Sequence, residues 1–278
     1  FPEDRDWQIA QFNGGTPELG FVPQMAFSER VALSSRASLV SKLQERGLLP
    51  ELEVKRIQLW SSPRNMSTAL MRSFEQRGDT QVFDEVLYSC YLSRVGDEVK
   101  QKHPGYAEVI GALESDSEKI INQLILGPQT RSVAFFKQMT HHLFGAGLDR
   151  DFLRQTTNII LTRPPKDMVV SFSRDLLQGG VTMEDVGYQQ QSVLFKELRA
   201  QTGQDPIVLD SELLLANPER VLRELCDRLD LEFVPDMLSW PQGASSYDGI
   251  WGKYWYKGVT DSTEFSTYRG YKMPEGKP

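Results

Sequence analysis

The sequence has few of the residues that build metal centres, disulfide frameworks and membrane spans. Its 278 residues include two cysteines and three histidines, with no CxxC or HExxH spacing, so neither a disulfide scaffold nor a metal site is expected. We expect Cys90 and Cys226 to be buried apolar residues, as free cysteines usually are. No apolar run approaches the roughly 18–20 residues that cross a bilayer, and the polar opening of residues 1–4 lacks a signal-peptide pattern.

The charge balance limits the partners that the protein attracts. With 31 basic and 38 acidic side chains the formal charge is −7, which argues against nucleic acid and other polyanionic partners. Hydrophobic residues make up 40% and charged residues 25%, the balance of a globular protein with a real core. We expect the protein to be cytoplasmic, and the sequence leaves its number of subunits open. Because the sequence does not begin with Met, there is room for an upstream targeting segment.

Short apolar runs alternate with longer helical patterns, which predicts an α/β fold: a three-layer parallel sheet with helices on both faces. Apolar spacing predicts a helix over residues 69–76 and another that begins at Pro218 with Asn217 as its N-cap. Ligands of open parallel sheets bind at the carboxyl ends of the strands, so functional residues are expected there. The predicted strands span residues 56–60, 81–83, 133–136, 158–161 and 207–209.

Two segments differ from this pattern. Residues 1–55 are polar and carry no recognisable chemistry, so we expect an N-terminal extension packed on a main domain of residues 56–278. A helix is predicted in it from Ser38 to Gly47. Residues 93–117 lie between two predicted strands, where insertions commonly line a substrate pocket.

The strongest local signal is the polar loop between the first predicted strand and the helix that follows it. Backbone N–H groups, the positive end of the helix dipole, the hydroxyls of Ser67 and Thr68 and the guanidinium of Arg64 can converge there on an anion. The loop is not a Walker A motif, since Asn65 and Met66 stand where Gly and Lys are required. The alternative is an ordinary strand-to-helix turn whose hydroxyls cap the helix.

The motif Pro63-Arg64-x-x-Ser67-Thr68 resembles the 5′-phosphosulfate loop of the sulfotransferases that use 3′-phosphoadenosine 5′-phosphosulfate (PAPS). The segment 159–171 is similar to the family's 3′-phosphate site, in which an Arg ends a strand and a Ser follows eight residues later. Arg163 and Ser171 hold those places, and a guanidinium and a hydroxyl can bracket one phosphate. The resemblance covers roughly three quarters of the chain and implies a P-loop nucleotide-binding, sulfotransferase-like fold.

Two looser segments extend the resemblance. Residues 210–218 resemble the family segment that contacts the adenine, with Ser211 where the family often has an aromatic residue. Residues 251–258 resemble the loop that clamps the 3′-phosphate, with Lys257-Gly258 matching and Tyr256 in place of an Arg. The resemblance therefore implies PAPS as donor, 3′,5′-bisphosphoadenosine (PAP) as product and no metal. The implied nucleotide-binding residues are Pro63, Arg64, Asn65, Met66, Ser67, Thr68, Arg163, Ser171, Ser211 and Lys257.

Sulfuryl transfer needs positive charge at the leaving phosphate and a base for the acceptor's proton. The resemblance gives Arg64 the first role. Glu85, directly after the second predicted strand, is our first choice of base, because carboxylate-using members carry their base there. His141 is the second: with Lys137 it resembles the Lys-Thr-His segment of members that use histidine, although it and the neighbouring His142 are displaced in register. The alternative for Glu85 is a helix-start or salt-bridged surface acid, and that for the histidines is a hydrogen-bonded core or surface residue.

These motifs predict a sulfotransferase that moves a sulfuryl group from PAPS to a hydroxyl or amine of a small-molecule acceptor by in-line displacement and releases PAP. Two alternatives stay open. One is a non-catalytic nucleotide-binding or scaffold domain, and the other is a P-loop small-molecule kinase with a degenerate loop. The aromatic C-terminal stretch favours a compact, partly apolar acceptor, whose identity the sequence leaves open.

Overall fold

The fold is built on five parallel strands, hydrogen-bonded in the order β2-β3-β1-β4-β5. The computed structural model describes residues 32–47, 52–144, 148–168, 171, 186–203 and 205–266. Each strand contains one of the runs predicted from the sequence, which confirms the parallel α/β sheet. The strands are β1 (Lys55–Ser61), β2 (Thr80–Asp84), β3 (Val133–Met139), β4 (Thr157–Thr162) and β5 (Ile207–Asp210).

Helices precede, connect and follow the strands. Among the described helices, none has both the length and the apolar character that crossing a bilayer demands. The α-helices are α1 (Ala32–Glu45), α2 (Ser67–Glu75), α3 (Tyr88–Arg94), α4 (Asp97–Lys100), α5 (Tyr106–Ala112), α6 (Ser117–Lys119), α7 (Thr140–Leu143), α8 (Tyr188–Thr202), α9 (Ser211–Ala216), α10 (Pro218–Arg228), α11 (Gly252–Trp255) and α12 (Lys257–Thr260). A π-helix (Ile120–Ile125) and two 3₁₀ turns (Asp151–Gln155 and Pro235–Leu238) complete the set.

The sheet is covered on both faces, as a three-layer α/β fold requires. Successive strand residues point to opposite faces, so Leu59 of β1 packs in one core with α2 and α10, whereas Trp60 packs in the other with the π-helix and α8. This arrangement confirms the predicted layering. Cys226 lies in the first core and Cys90 in the second, both as buried free thiols, which confirms their predicted apolar role.

Helix ends show where local sequence sufficed and where it did not. The Asn217 side chain accepts a hydrogen bond from the Arg220 amide at 3.1 Å, so α10 is capped as predicted. Helix α1 begins six residues before the predicted Ser38, because Ala and Leu residues upstream also favour helix, and Gly47 follows its end at φ 66°. Of the predicted N-terminal extension, residues 1–31 and 48–51 lie outside the described residues.

The sheet order places a topological switch point at β1. Strand β1 pairs with β3 on one side and with β4 on the other, so the connection after β1 leads to one half of the sheet and the connection after β3 leads to the other half. Ligands of open α/β sheets bind in the crevice that opens at such a point. The carboxyl ends of β1, β3 and β4 are therefore where a binding site is expected.

Candidate functional site

A cavity of about 350 Å³ opens at the carboxyl edge of the sheet. It brings together most of the site residues predicted from the sequence: Pro63, Arg64, Asn65, Met66, Ser67, Thr68, Glu85, Lys137, His141, Arg163 and Ser171 all line it. Ser211 and Lys257 are not among the lining residues. Ser211 is buried at the start of α9, and Lys257 is exposed at the start of α12 beside the lining Gly258.

The loop between β1 and α2 has an unusual backbone for its sequence. Arg64 and Met66 have φ angles of 63° and 68°, in the left-handed region that residues other than glycine rarely occupy. Two contacts from β4 and its end hold this shape: Arg163 Nη1 donates to the Arg64 carbonyl at 2.6 Å, and Asn65 Nδ2 donates to the Leu161 carbonyl at 3.3 Å. Met66, the N-cap of α2, makes no side-chain cap, so first-turn N–H groups remain for a ligand.

The two motifs that the sequence analysis predicts to bind anions meet at this loop. Arg64 Nε donates to Ser171 Oγ at 3.4 Å, and Arg64 Nη1 donates to the Trp255 carbonyl at 3.3 Å. Arg163 is buried and lies against the same loop, as its bond to the Arg64 carbonyl shows. The two guanidinium groups and the Ser171 hydroxyl therefore belong to one hydrogen-bonded group at the cavity wall.

A second group, the carboxylate network, consists of Asp84, Glu85, Lys137 and Tyr256. The Lys137 ammonium donates to Glu85 Oε1, to Asp84 Oδ1 at 3.0 Å and to the Tyr256 hydroxyl at 2.6 Å. The Tyr256 hydroxyl also lies 2.7 Å from Asp84 Oδ2 and 3.2 Å from Glu85 Oε1. All three donor positions of the buried ammonium are thus occupied within the protein.

The carboxylate network holds two acids against one ammonium, and its pKa shifts come from burial together with this excess of negative charge. Burial raises the pKa of Glu85, the Lys137 ammonium lowers it and the neighbouring Asp84 raises it, with a net increase. Burial lowers the pKa of Lys137, but Asp84 and Glu85 outweigh that effect and raise it overall. Burial, Asp84 and Glu85 raise the pKa of Tyr256, so the phenol keeps its proton.

The far wall of the cavity is aromatic, and all three histidines of the chain lie on it. The His142 ring stacks on the rings of Tyr88 and Tyr91, with centroids 4.7 and 4.8 Å apart. The His141 ring meets the His142 ring edge-on, with centroids 4.4 Å apart. Burial lowers the pKa of His142 well below its usual range, so its imidazole is neutral. His142 Nδ1 lies 3.9 Å from Glu85 Oε2, and the two residue types considered as base share one cavity.

Several residues at the site were not predicted from the sequence. Asp84 and Tyr256 complete the carboxylate network although 172 positions separate them, and no local pattern signals that contact. Lys102 and His103 line the cavity and come from the 93–117 segment, which was expected to supply pocket residues. Within the described ranges, no group of three or more His, Cys, Asp or Glu side chains is placed to hold a metal ion.

Known proteins resemble this chain over most of its length. "Branched-chain-amino-acid aminotransferase-like protein 1" of Arabidopsis thaliana is 34% identical over 220 residues, which is 79% of this chain and 38% of the plant protein. The chain thus spans about two fifths of that relative's length.

Two solved structures are more distant. The sulfotransferase domain of the Synechococcus PCC 7002 olefin synthase is 18% identical over 73% of this chain and 83% of its own, with a TM-score of 0.47. Mouse sulfotransferase SULT7A1, solved with PAP, is 14% identical over 72% of this chain and 66% of its own, with a TM-score of 0.43.

The decisive comparison is with a domain family. Residues 55–276, from the first residue of β1 onward, match the sulfotransferase domain. The matched range includes both motifs predicted to bind anions and every member of the carboxylate network. The chain therefore belongs to the sulfotransferase domain family.

Proposed function

We propose that the protein transfers a sulfuryl group from PAPS to a hydroxyl or amine of a small-molecule acceptor and releases PAP. One observation carries the proposal: Arg64, Arg163 and Ser171 meet in one hydrogen-bonded group in the same cavity as the buried carboxylate of Glu85.

The hydrogen-bond donors of the cavity fit a doubly phosphorylated nucleotide. Helix α2 has nine residues, and its N-terminal N–H groups and dipole favour an anion. Arg64 stands beside that helix start, and a guanidinium offers the forked donors that match phosphate oxygens. Its contacts to Ser171 and Trp255, at 3.4 and 3.3 Å, are long for hydrogen bonds, so they exchange for phosphate contacts at little cost. Arg163 and Ser171 provide a cation and a hydroxyl for the second phosphate.

The residues of the cavity then have separate chemical tasks. When bound, PAPS supplies an activated sulfuryl group: the bond from sulfur to the acceptor oxygen or nitrogen forms as the bond from sulfur to the 5′-phosphate oxygen breaks. Arg64 stabilises the negative charge that develops on the leaving phosphate. Glu85 takes the acceptor's proton, and its raised pKa makes the carboxylate a stronger base. His141 is the alternative base.

The acceptor end of the cavity favours a compact molecule. Tyr88, Tyr91 and the histidine rings form flat, weakly polar walls around Glu85, which suits an uncharged or aromatic alcohol or amine better than an extended polyanion. The formal charge of −7 also opposes a polyanionic acceptor.

The first test is ligand binding measured by thermal unfolding. We expect PAP to raise the melting temperature without magnesium, whereas ATP with magnesium does not. Stabilisation by ATP with magnesium alone would instead select the kinase alternative.

The second test is transfer of labelled sulfate from PAPS to phenol and amine probes such as 2-naphthol and 2-naphthylamine. Glu85→Gln should lower turnover by about 10²–10⁴-fold, and Glu98→Gln, at an exposed site on α4, should leave it unchanged. Turnover that survives Glu85→Gln would rule out Glu85 as the base. PAP binding without transfer to any probe would favour the non-catalytic alternative.

A further inference from the structure

The Tyr256 hydroxyl is the junction of the carboxylate network. It lies 2.6 Å from Lys137 Nζ, 2.9 Å from Trp251 Nε1, 2.7 Å from Asp84 Oδ2 and 3.2 Å from Glu85 Oε1. Lys137 and Trp251 are donors, so the hydroxyl accepts from both, and its single proton goes to Asp84 Oδ2, the nearer carboxylate oxygen. Trp251 and the carboxylate network therefore use every polar capacity of the phenol.

Tyr256 reaches the network from a segment that is fastened at two other points. The Gly249 amide donates to Asp84 Oδ2 at 2.9 Å, and the Trp255 carbonyl accepts from Arg64 Nη1 at 3.3 Å. The segment thus joins the loop between β1 and α2 to the carboxylates through two consecutive residues, Trp255 and Tyr256. These contacts place the phenol next to the loop that carries Arg64.

The two oxygens of Glu85 have different surroundings. Oε1 accepts from the Lys137 ammonium and lies within hydrogen-bond distance of the Tyr256 hydroxyl. Oε2 is 3.9 Å from His142 Nδ1, a separation too long for a direct hydrogen bond. One oxygen is therefore held by the protein, and the other faces the imidazole of the acceptor wall.

We propose that Tyr256 is a positioning residue for Glu85: its hydroxyl accepts from the Lys137 ammonium and donates to Asp84, which fixes the ammonium against Oε1 so that Oε2 is presented to the acceptor. The assignment rests on the proposed function, since it takes Glu85 as the base.

The groups that face Glu85 change its pKa in opposite directions. Burial and the charge of Asp84 raise its pKa, whereas the Lys137 ammonium and the Tyr256 hydroxyl lower it by stabilising the ionised form. The remaining neighbours are His142, which is neutral, and Tyr88, whose own pKa Glu85 helps to raise. Removing the Tyr256 hydroxyl should therefore shift the pKa of Glu85 upward, and neutralising Asp84 should shift it downward.

The experiment is a ¹³C NMR titration of the full chain labelled at its Glu side-chain carboxyls, with the Glu85 signal assigned by its loss in Glu85→Gln. We expect the midpoint to rise in Tyr256→Phe and to fall in Asp84→Asn. Tyr254→Phe removes an exposed hydroxyl two residues away and should leave the midpoint at the wild-type value. A role in packing alone would lower the melting temperature of Tyr256→Phe without moving this midpoint.

A second substitution guards against a folding defect. Replacing Tyr256 with 3-fluorotyrosine nearly preserves the side chain's size but makes the phenol a stronger donor to Asp84. A stronger hydrogen bond reduces the effect of the Asp84 charge on Glu85, so the Glu85 midpoint should fall. The proposal is overturned if Tyr256→Phe behaves like Tyr254→Phe, or if the fluorinated residue leaves the midpoint unchanged. Absence of stabilisation by PAP would defeat the proposed function instead, and the carboxyl titration does not depend on it.

Discussion

The substitution Arg64→Ala removes a positive charge from the phosphate loop, residues 62–66 between β1 and α2, and is expected to leave its backbone shape intact. Arg64 has a φ of 63°, and Ala pays a similar penalty there, so the substitution removes the guanidinium without relaxing the backbone. The Arg64 carbonyl, which accepts from Arg163, is retained. The remaining loop is therefore expected to keep its geometry while losing one cation.

The magnitude follows from the contacts that the guanidinium gives up. PAP at about 100 times its dissociation constant adds about 2.7 kcal/mol to the free energy of unfolding, which is about 5–11 °C in melting temperature for a domain of this size. A charge-assisted hydrogen bond contributes about 1.5–3 kcal/mol, so Arg64→Ala should weaken PAP binding about 13- to 160-fold. At the same PAP concentration the stabilisation then falls to about 0.3–1.3 kcal/mol, or about 1–5 °C.

The assay is thermal unfolding with and without PAP. The matched control is Arg220→Ala, at an exposed arginine on α10, which should keep the full wild-type shift. If Arg64→Ala retains that shift as well, the loop does not bind phosphate through its arginine, and the assignment of the first anion site is wrong.

Two further predictions concern stability. Because the pKa of Glu85 is raised from its ordinary value of 4.5, the folded protein binds this proton more tightly than the unfolded chain does. The stability from this group is present in full below the unfolded value and is lost as pH rises through the folded value. Glu85→Gln should therefore gain stability relative to wild type as the pH rises above 4.5 in urea unfolding; a pH-independent difference would contradict this. Asn217→Ala removes the cap of α10 and should cost about 1 kcal/mol in the same assay, with Asn217→Ser recovering most of it; an equal loss in both variants would show that capping is not the cause.

Local sequence was enough for the elements that depend on local physics. Short apolar runs indicate strands, so the predicted bounds of all five strands lie within three residues of the observed ones. The cap at Asn217 and the proline after it define a helix start without reference to the rest of the chain. The sequence also locates the loop of residues 62–66 between a strand and a helix, as the structure has it, and its binding of phosphate stays a prediction.

The carboxylate network could not be predicted in this way. Lys137 and Asp84 lie on neighbouring strands, but nothing in either strand indicates that a tyrosine near the C-terminus would join them. The sequence identifies Tyr256 only as the replacement for an expected arginine, whereas the fold places its hydroxyl between the carboxylates of Asp84 and Glu85. Contacts of this kind depend on how distant segments pack, which periodicity does not encode.

The left-handed residues of the phosphate loop have a consequence for comparing related chains. A glycine-rich loop adopts left-handed backbone angles because its own residues favour them. This loop is instead held in those angles by hydrogen bonds to Arg163 and to the carbonyl of Leu161 in β4. A homologue could conserve every letter from Pro63 to Thr68 and still lose the anion site if its equivalent of Arg163 had changed. Inspecting the loop motif alone would therefore overcount the working members of such a group.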